Sequence, residues 1–132
     1  MIVKEIKIED VTREDITEVL CGECDISYWG EIIHNGEEYL ISKNNLIKLN
    51  IIPEDCICYE DILTQMLYDG YKLTIVDIED DEPPVDIKLS DLINGIEKAI
   101  NYNVEWIDEN NRDGYYCDSA IQMAAYGEII FG

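Results

Sequence analysis

The sequence predicts an α+β fold: a mainly antiparallel sheet with about three to four short helices, a single layer of helices on one face. Three observations carry this expectation. Segments in which apolar and polar residues alternate interleave with segments whose apolar residues recur at helical spacing. The two kinds follow one another without the regular strand-helix-strand rhythm of a parallel sheet. Hydrophobic residues make up 47% of the 132 and are spread along the whole chain, enough to form one core in a chain too short to divide comfortably. One acidic domain over residues 1–132 is the resulting expectation.

The elements follow in order. Residues 2–9 alternate apolar and charged side chains and read as a half-buried strand. Thr12 is placed as an N-cap, with Glu14 and Asp15 in a first turn that the helix dipole favours. Ile16, Val19 and Leu20 form the stripe of that short helix, which ends near Gly22. Ile26 to Ile33 reads as a strand, and Asn35-Gly36 before Tyr39-Leu40-Ile41 is a two-residue hairpin signal, since both turn residues tolerate positive φ. Residues 43–57 fit neither period, and Pro53 breaks them. Tyr59 to Tyr68 is a helix stopped by Gly70. Tyr71 to Ile78 and Val85 to Leu89 form a strand pair around the charged turn Glu79-Asp80-Asp81-Glu82-Pro83-Pro84. Ser90 caps a helix bearing Leu92, Ile93, Ile96 and Ile100. Residues 101–116 read as loop apart from Val104 to Ile107; Asp118 or Ser119 opens a last helix, Gly127 closes it, and Glu128 to Phe131 is a terminal strand.

Charge narrows the function. Thirty acidic against nine basic residues give a formal charge of -21, and Arg13 and Arg112 are the only arginines. Direct binding to nucleic acid needs several Lys or Arg contacts with phosphates, and no basic cluster exists to make them. Anionic membrane surfaces are disfavoured by the same sign. No apolar run is long enough to span a bilayer, and Met1 to Asp10 has no signal-peptide pattern. With an odd number of cysteines, a cytoplasmic location with free thiols is expected.

Cys21-x-x-Cys24 and Cys56-x-Cys58 have spacings that can present thiolates to zinc, although buried, inert thiols are the plainer reading. A redox role lacks the strand expected before Cys21. Glu109 to Gly114 places oxygen ligands at alternate positions before a glycine, as in a calcium loop, but Ala120 stands where the bidentate glutamate belongs. His34, the one histidine, lies beside the Asn35-Gly36 turn without a nucleophile motif. Paired acids are too numerous to single out a glycosidase pair. No catalytic residue, metal or cofactor is therefore expected.

Tyr28-Trp29, with Trp106, Tyr115 and Tyr116, can form an aromatic contact surface, since such residues dominate binding hot spots. Neighbours on a strand face opposite ways, so one of Tyr28 and Trp29 is expected in the core. The acidic clusters expected to contact a partner are Glu37-Glu38, Glu79, Asp80, Asp81 and Glu82, and Asp108-Glu109.

Three stretches resemble a family of small acidic proteins of phages and prophages from low-GC Gram-positive bacteria. They are Ile26-x-Tyr28-Trp29, the segment Leu89-Ser90-Asp91-Leu92-Ile93-Asn94-Gly95-Ile96, and the tail from Ile121 to Gly132. The chain departs from the family at Cys24-Asp25, where members often carry Gly-Gly. The resemblance implies a setting and no mechanism. Within that setting the leading expectation is a non-enzymatic accessory protein that inhibits or redirects a host protein, a nucleic-acid-binding one included, through its acidic surface. Two alternatives stand beside it: a binder or sponge for a signalling nucleotide, which needs helix N-termini such as those at Thr12, Ser90 and Asp118 or Ser119, and a self-associating virion or assembly protein.

Overall fold

The computed structural model describes residues 11–21, 26–79, 81–102 and 114–131. Among the described residues, five α-helices and a three-stranded antiparallel sheet give the α+β class expected, with more helices than the three to four anticipated. Helix α1 (Arg13–Cys21) opens with a capping box: Thr12 Oγ1 accepts the Asp15 N–H at 3.2 Å, and Asp15 Oδ2 accepts the Thr12 N–H at 2.9 Å. The strand expected over residues 2–9 lies outside the described residues.

The expected hairpin at Asn35-Gly36 is replaced by a helix start. Asn35 Oδ1 accepts the N–H groups of both Glu37 and Glu38 at 3.0 Å, and the chain continues as α2 (Gly36–Leu49). Asparagine serves both a tight turn and an N-cap, and here the acids behind it favour the helix dipole. Tyr39, Leu40 and Ile41 are thus helical, and the preceding strand shrinks to β1 (Gly30–Ile33), with a turn over residues 27–29. Helix α2 ends at Asn50, in the left-handed region at φ 52°. After Pro53 a short 3-10 turn (Glu54–Cys56) leads to α3 (Tyr59–Tyr68), whose start is secured by Asp61 Oδ2 accepting the Cys58 N–H at 2.8 Å. Gly70, at φ 91°, stops it as expected.

Strand β2 (Leu73–Asp77) is the central strand of the sheet order β1-β2-β3. It pairs antiparallel with β1, Gly30 opposite Asp77 and Ile33 opposite Thr74, and with β3 (Val85–Ile87), Leu73 opposite Ile87. The next helix, α4 (Leu89–Tyr102), begins before the expected cap at Ser90, because Asp91 Oδ2 reaches back to the Lys88 N–H at 2.8 Å. Helix α5 (Gly114–Tyr126) likewise begins earlier than Asp118 and ends at Gly127, φ 75°. Residues 128–131 pair with no strand among the described residues; the N–H groups of Ile130 and Phe131 are met by the Gln122 side chain instead.

One buried cluster joins these elements. Ile32, Leu73, Ile75 and Ile87 of the sheet meet Ile16, Val19 and Leu20 of α1, Leu63, Met66 and Leu67 of α3, Leu92, Ile96 and Ala99 of α4, and Ala120 and Ile121 of α5. Thr17 and Thr64, hydroxyl to hydroxyl at 2.8 Å, tie α1 to α3. Helix α2 is held to α3 by the Asp69 carboxylate, which accepts Ser42 Oγ at 2.8 Å, Asn45 Nδ2 at 3.1 Å and Gln65 Nε2 at 2.7 Å.

Helices α4 and α5 cross at Gly95, where a Cβ atom would lie 2.4 Å from the Ala120 carbonyl oxygen and 2.7 Å from the Ala124 nitrogen. Backbone stands in the way, so no side chain can yield. Gly95→Ala is expected to lower stability by about 1–3 kcal/mol through overpacking, despite alanine's better helix propensity. Gly36→Ala, where nothing lies within 4 Å, is expected to be neutral or stabilising. Urea denaturation of the two variants checks this opposition of signs.

Candidate functional site

The acidic clusters expected to contact a partner fall at opposite ends of the sheet. Glu37 and Glu38 follow β1 at its Ile33 end, in the first turn of α2. Residues 79–82 follow β2 at the end where Asp77 faces Gly30. Antiparallel pairing therefore separates them by the length of the strands. Asp80, Asp108, Glu109 and Trp106 lie outside the described residues, as does the Glu109–Asp113 stretch of the calcium-like segment; Gly114 opens α5.

The turn after β2 is built on a buried acid. Asp77 is 2% exposed, and its carboxylate accepts the N–H of Glu79 at 2.9 Å and those of Asp81 and Glu82 at 3.2 Å. Three amides that would otherwise need water are fixed to one side chain. Ile78, 53% exposed, and the exposed Glu79, Asp81 and Glu82 are presented by that frame. The Ile78 N–H in turn bonds the Trp29 carbonyl at 2.9 Å, so residues 28–29 and the acidic turn share one end of the sheet.

Tyr28 and Trp29 divide into one exposed and one buried residue as expected, although they lie in a turn and not on a strand. Trp29, 2% exposed, lies in the core and stacks on Phe131 with ring centroids 4.5 Å apart, so it offers no contact surface. Tyr28 is 54% exposed beside the acidic turn. Both are anchored by Asp118, a buried residue of α5: the Trp29 indole N–H donates to Oδ1 at 2.8 Å and the Tyr28 hydroxyl to Oδ2 at 2.6 Å. Gln122 Nε2 donates to Asp118 Oδ1 at 2.8 Å and to the Phe131 carbonyl at 3.1 Å, while its Oε1 accepts the N–H of Ile130 and of Phe131 at 2.9 and 2.8 Å. Tyr126 packs against Trp29, and its hydroxyl pKa is raised, first by burial and then by the charges of Asp77 and Glu82. Sequence reasoning gave no role to Asp77 or Gln122 and read Asp118 only as a helix start; a buried acid has no local pattern, although a lone Asp ending an apolar strand just before a turn is the signal that fits Asp77.

The remaining chemical candidates are placed as follows. Cys21, Cys56 and Cys58 are exposed, contrary to the expected burial, and Cys117 is buried. The Cys58 thiol pKa is pushed up, chiefly by the Glu60 carboxylate, then by desolvation, Asp61 and Cys56. That disfavours the thiolate a reactive or metal-binding cysteine needs. No group of three His, Cys, Asp or Glu side chains among the described residues is arranged to hold a metal ion. No helix among them is long and apolar enough to cross a membrane. His34 is half-buried, stacking on Tyr39 at 4.7 Å and tilted against Tyr59 at 5.7 Å.

Trp29→Phe keeps an aromatic ring against Phe131 but strips a donor from Asp118, and is expected to cost about 1.5–3 kcal/mol, since hydrogen bonds to a charged partner are the stronger kind. Tyr28→Phe is expected to cost less, because water can reach a half-exposed position. Denaturant melts of both variants followed by far-ultraviolet dichroism test the order. Comparison with protein-family models, with curated proteins and with solved structures finds no match.

Proposed function

We propose that the protein is a non-enzymatic binding module that holds a basic surface of a partner protein through the acidic turn 78–82 and the neighbouring Tyr28. The observation that carries this reading is the anchoring of the turn. Its carboxylates hang from a backbone already fixed by Asp77, so little ordering remains to oppose association. An aromatic and an exposed isoleucine beside fixed acids match the make-up of a contact hot spot with a charged rim. A net charge of -21 steers a cationic partner from a distance.

A groove lined by Lys and Arg that accepts nucleic acid is a partner of the right chemistry, because duplex DNA presents one negative charge per about 1.7 Å. The phage or prophage setting, in which such a module inhibits or redirects a host protein, is supported by the family resemblance of the sequence. The nucleotide-sponge reading has less support. Glu14 and Asp15 fill the first turn of α1, Asp91 caps α4, and Asp118 and Ser119 lie buried inside α5, so none of the expected helix N-termini is free of nearby acid or burial.

The test is a native pull-down from a low-GC Gram-positive lysate at low and high salt, comparing two triple variants of equal net charge. Glu79→Lys with Asp81→Lys and Glu82→Lys is expected to weaken capture of a stoichiometric, salt-released protein at least about tenfold, a loss of about 1.4 kcal/mol. Glu54→Lys with Glu97→Lys and Glu128→Lys is expected to retain it. Equal loss in both variants, or no salt-released protein, overturns the reading.

A further inference from the structure

A second acidic feature lies on a different part of the molecule, and it is a cavity. A cleft of about 450 Å³ opens between α1, the start of α3 and the segment after α2. Ile51, Ile52 and Thr17 line it together with four acidic residues, Glu14, Glu18, Glu60 and Asp61. The volume falls within the roughly 300–1,000 Å³ range of ligand clefts.

The charge arrangement is what gives the cleft a direction. Glu14 and Glu18 stand one helical turn apart on α1, a like-charge spacing that weakens a helix. Across the cleft, Glu60 and Asp61 add the same sign from α3. Asp61 has a structural role, since it accepts the Cys58 N–H, and Glu14 stands in the first turn of α1, where the helix dipole favours an acid; among the described residues Glu18 has neither role. Arg13 is the one cation among the described residues lining the cleft, and its guanidinium lies 4.3 Å from the centre of the Tyr68 ring. The carboxylates outnumber it four to one.

We propose that this cleft receives one arginine or lysine side chain, flanked by an apolar residue, from the partner protein. The proposal rests on the acidic-surface reading and adds to it a specific point of insertion. The aliphatic stem of such a side chain lies along Ile51 and Ile52 while its head meets Glu14, Glu18 and Glu60, the division that long basic side chains adopt at an apolar surface. A guanidinium is the better occupant, because its planar fork can engage two carboxylates at once.

The test uses the full chain, labelled with nitrogen-15, and the capped tripeptide Leu-Arg-Leu, with Leu-citrulline-Leu as the uncharged control. Saturable amide shifts are expected at Thr17, Glu18, Cys21, Ile51, Ile52 and Asp61. The citrulline peptide is expected to bind about tenfold more weakly or worse, in keeping with the loss of a charged hydrogen bond. The double variant Glu14→Gln, Glu18→Gln is expected to show the same weakening with the rest of its spectrum unchanged. Absent shifts, equal affinity of the two peptides, or shifts confined to residues 78–84 overturn the cleft proposal. The last of these leaves the reading of the acidic turn standing; conversely, cleft binding together with unaltered capture by the turn variant upholds the cleft and removes the turn.

Discussion

The carboxylate of Asp118 is the contact on which most of the architecture depends. It gathers donors from the segment before β1 and from its own helix, and through Gln122 it extends to the C-terminal residues. A buried acid is costly unless its oxygens are satisfied, and here both are. Once Trp29 is placed by this bond, its carbonyl receives the Ile78 N–H, and Ile78 begins the turn that Asp77 then closes. The acidic turn is thus only a few bonds removed from the middle of α5, although the two are far apart in the chain.

Much of this order was legible in the sequence where one signal acted alone. Thr12 with Asp15 predicted a cap, and Gly70 and Gly127 predicted helix stops that the structure bears out with positive φ. Failures came where one residue type serves two geometries. Asn35 reads as a hairpin turn or as an N-cap, and the acids at Glu37 and Glu38 carry the discriminating signal, because an acid following a two-residue turn gains nothing while an acid in a first helical turn meets a positive dipole. Ser42 and Leu46, the buried residues of α2, stand four apart, a helical relation hidden where residues 43–57 fit neither period as a whole. Ser90 misled in the same way: a serine is a common cap, but Asp91 has the reach to close the turn two positions earlier, at Lys88. The donor-gathering acids were the least legible. Asp69 and Asp118 are defined in part by donors from distant segments, Ser42 and Asn45 for the one and Tyr28 and Trp29 for the other, while Asp77 gathers the amides of the turn that follows it.

The acidic residues therefore separate into two populations. Asp15, Asp61 and Asp91 close helix starts, and Asp69, Asp77 and Asp118 gather donors. Aspartate suits both tasks, since its short side chain reaches nearby backbone without spending much rotamer freedom. Exposed glutamates such as Glu14, Glu18, Glu79 and Glu82 carry no such duty in the bonds described above. They are the part of the negative charge that faces solvent.

Gln122 imposes a rule on which chains can share this arrangement. Its oxygen accepts two N–H groups from residues 130 and 131 while its nitrogen donates to Asp118 and to a backbone carbonyl. Glutamate would set a second acid against Asp118, and lysine has nothing with which to accept. Only a side-chain amide meets all four demands. A Tyr-Trp pair early in the chain, an Asp-x-x-x-Gln step on a late helix and an aromatic residue nine positions further on thus form a structural signature by which distant kin could be recognised when the rest of the sequence has drifted beyond alignment.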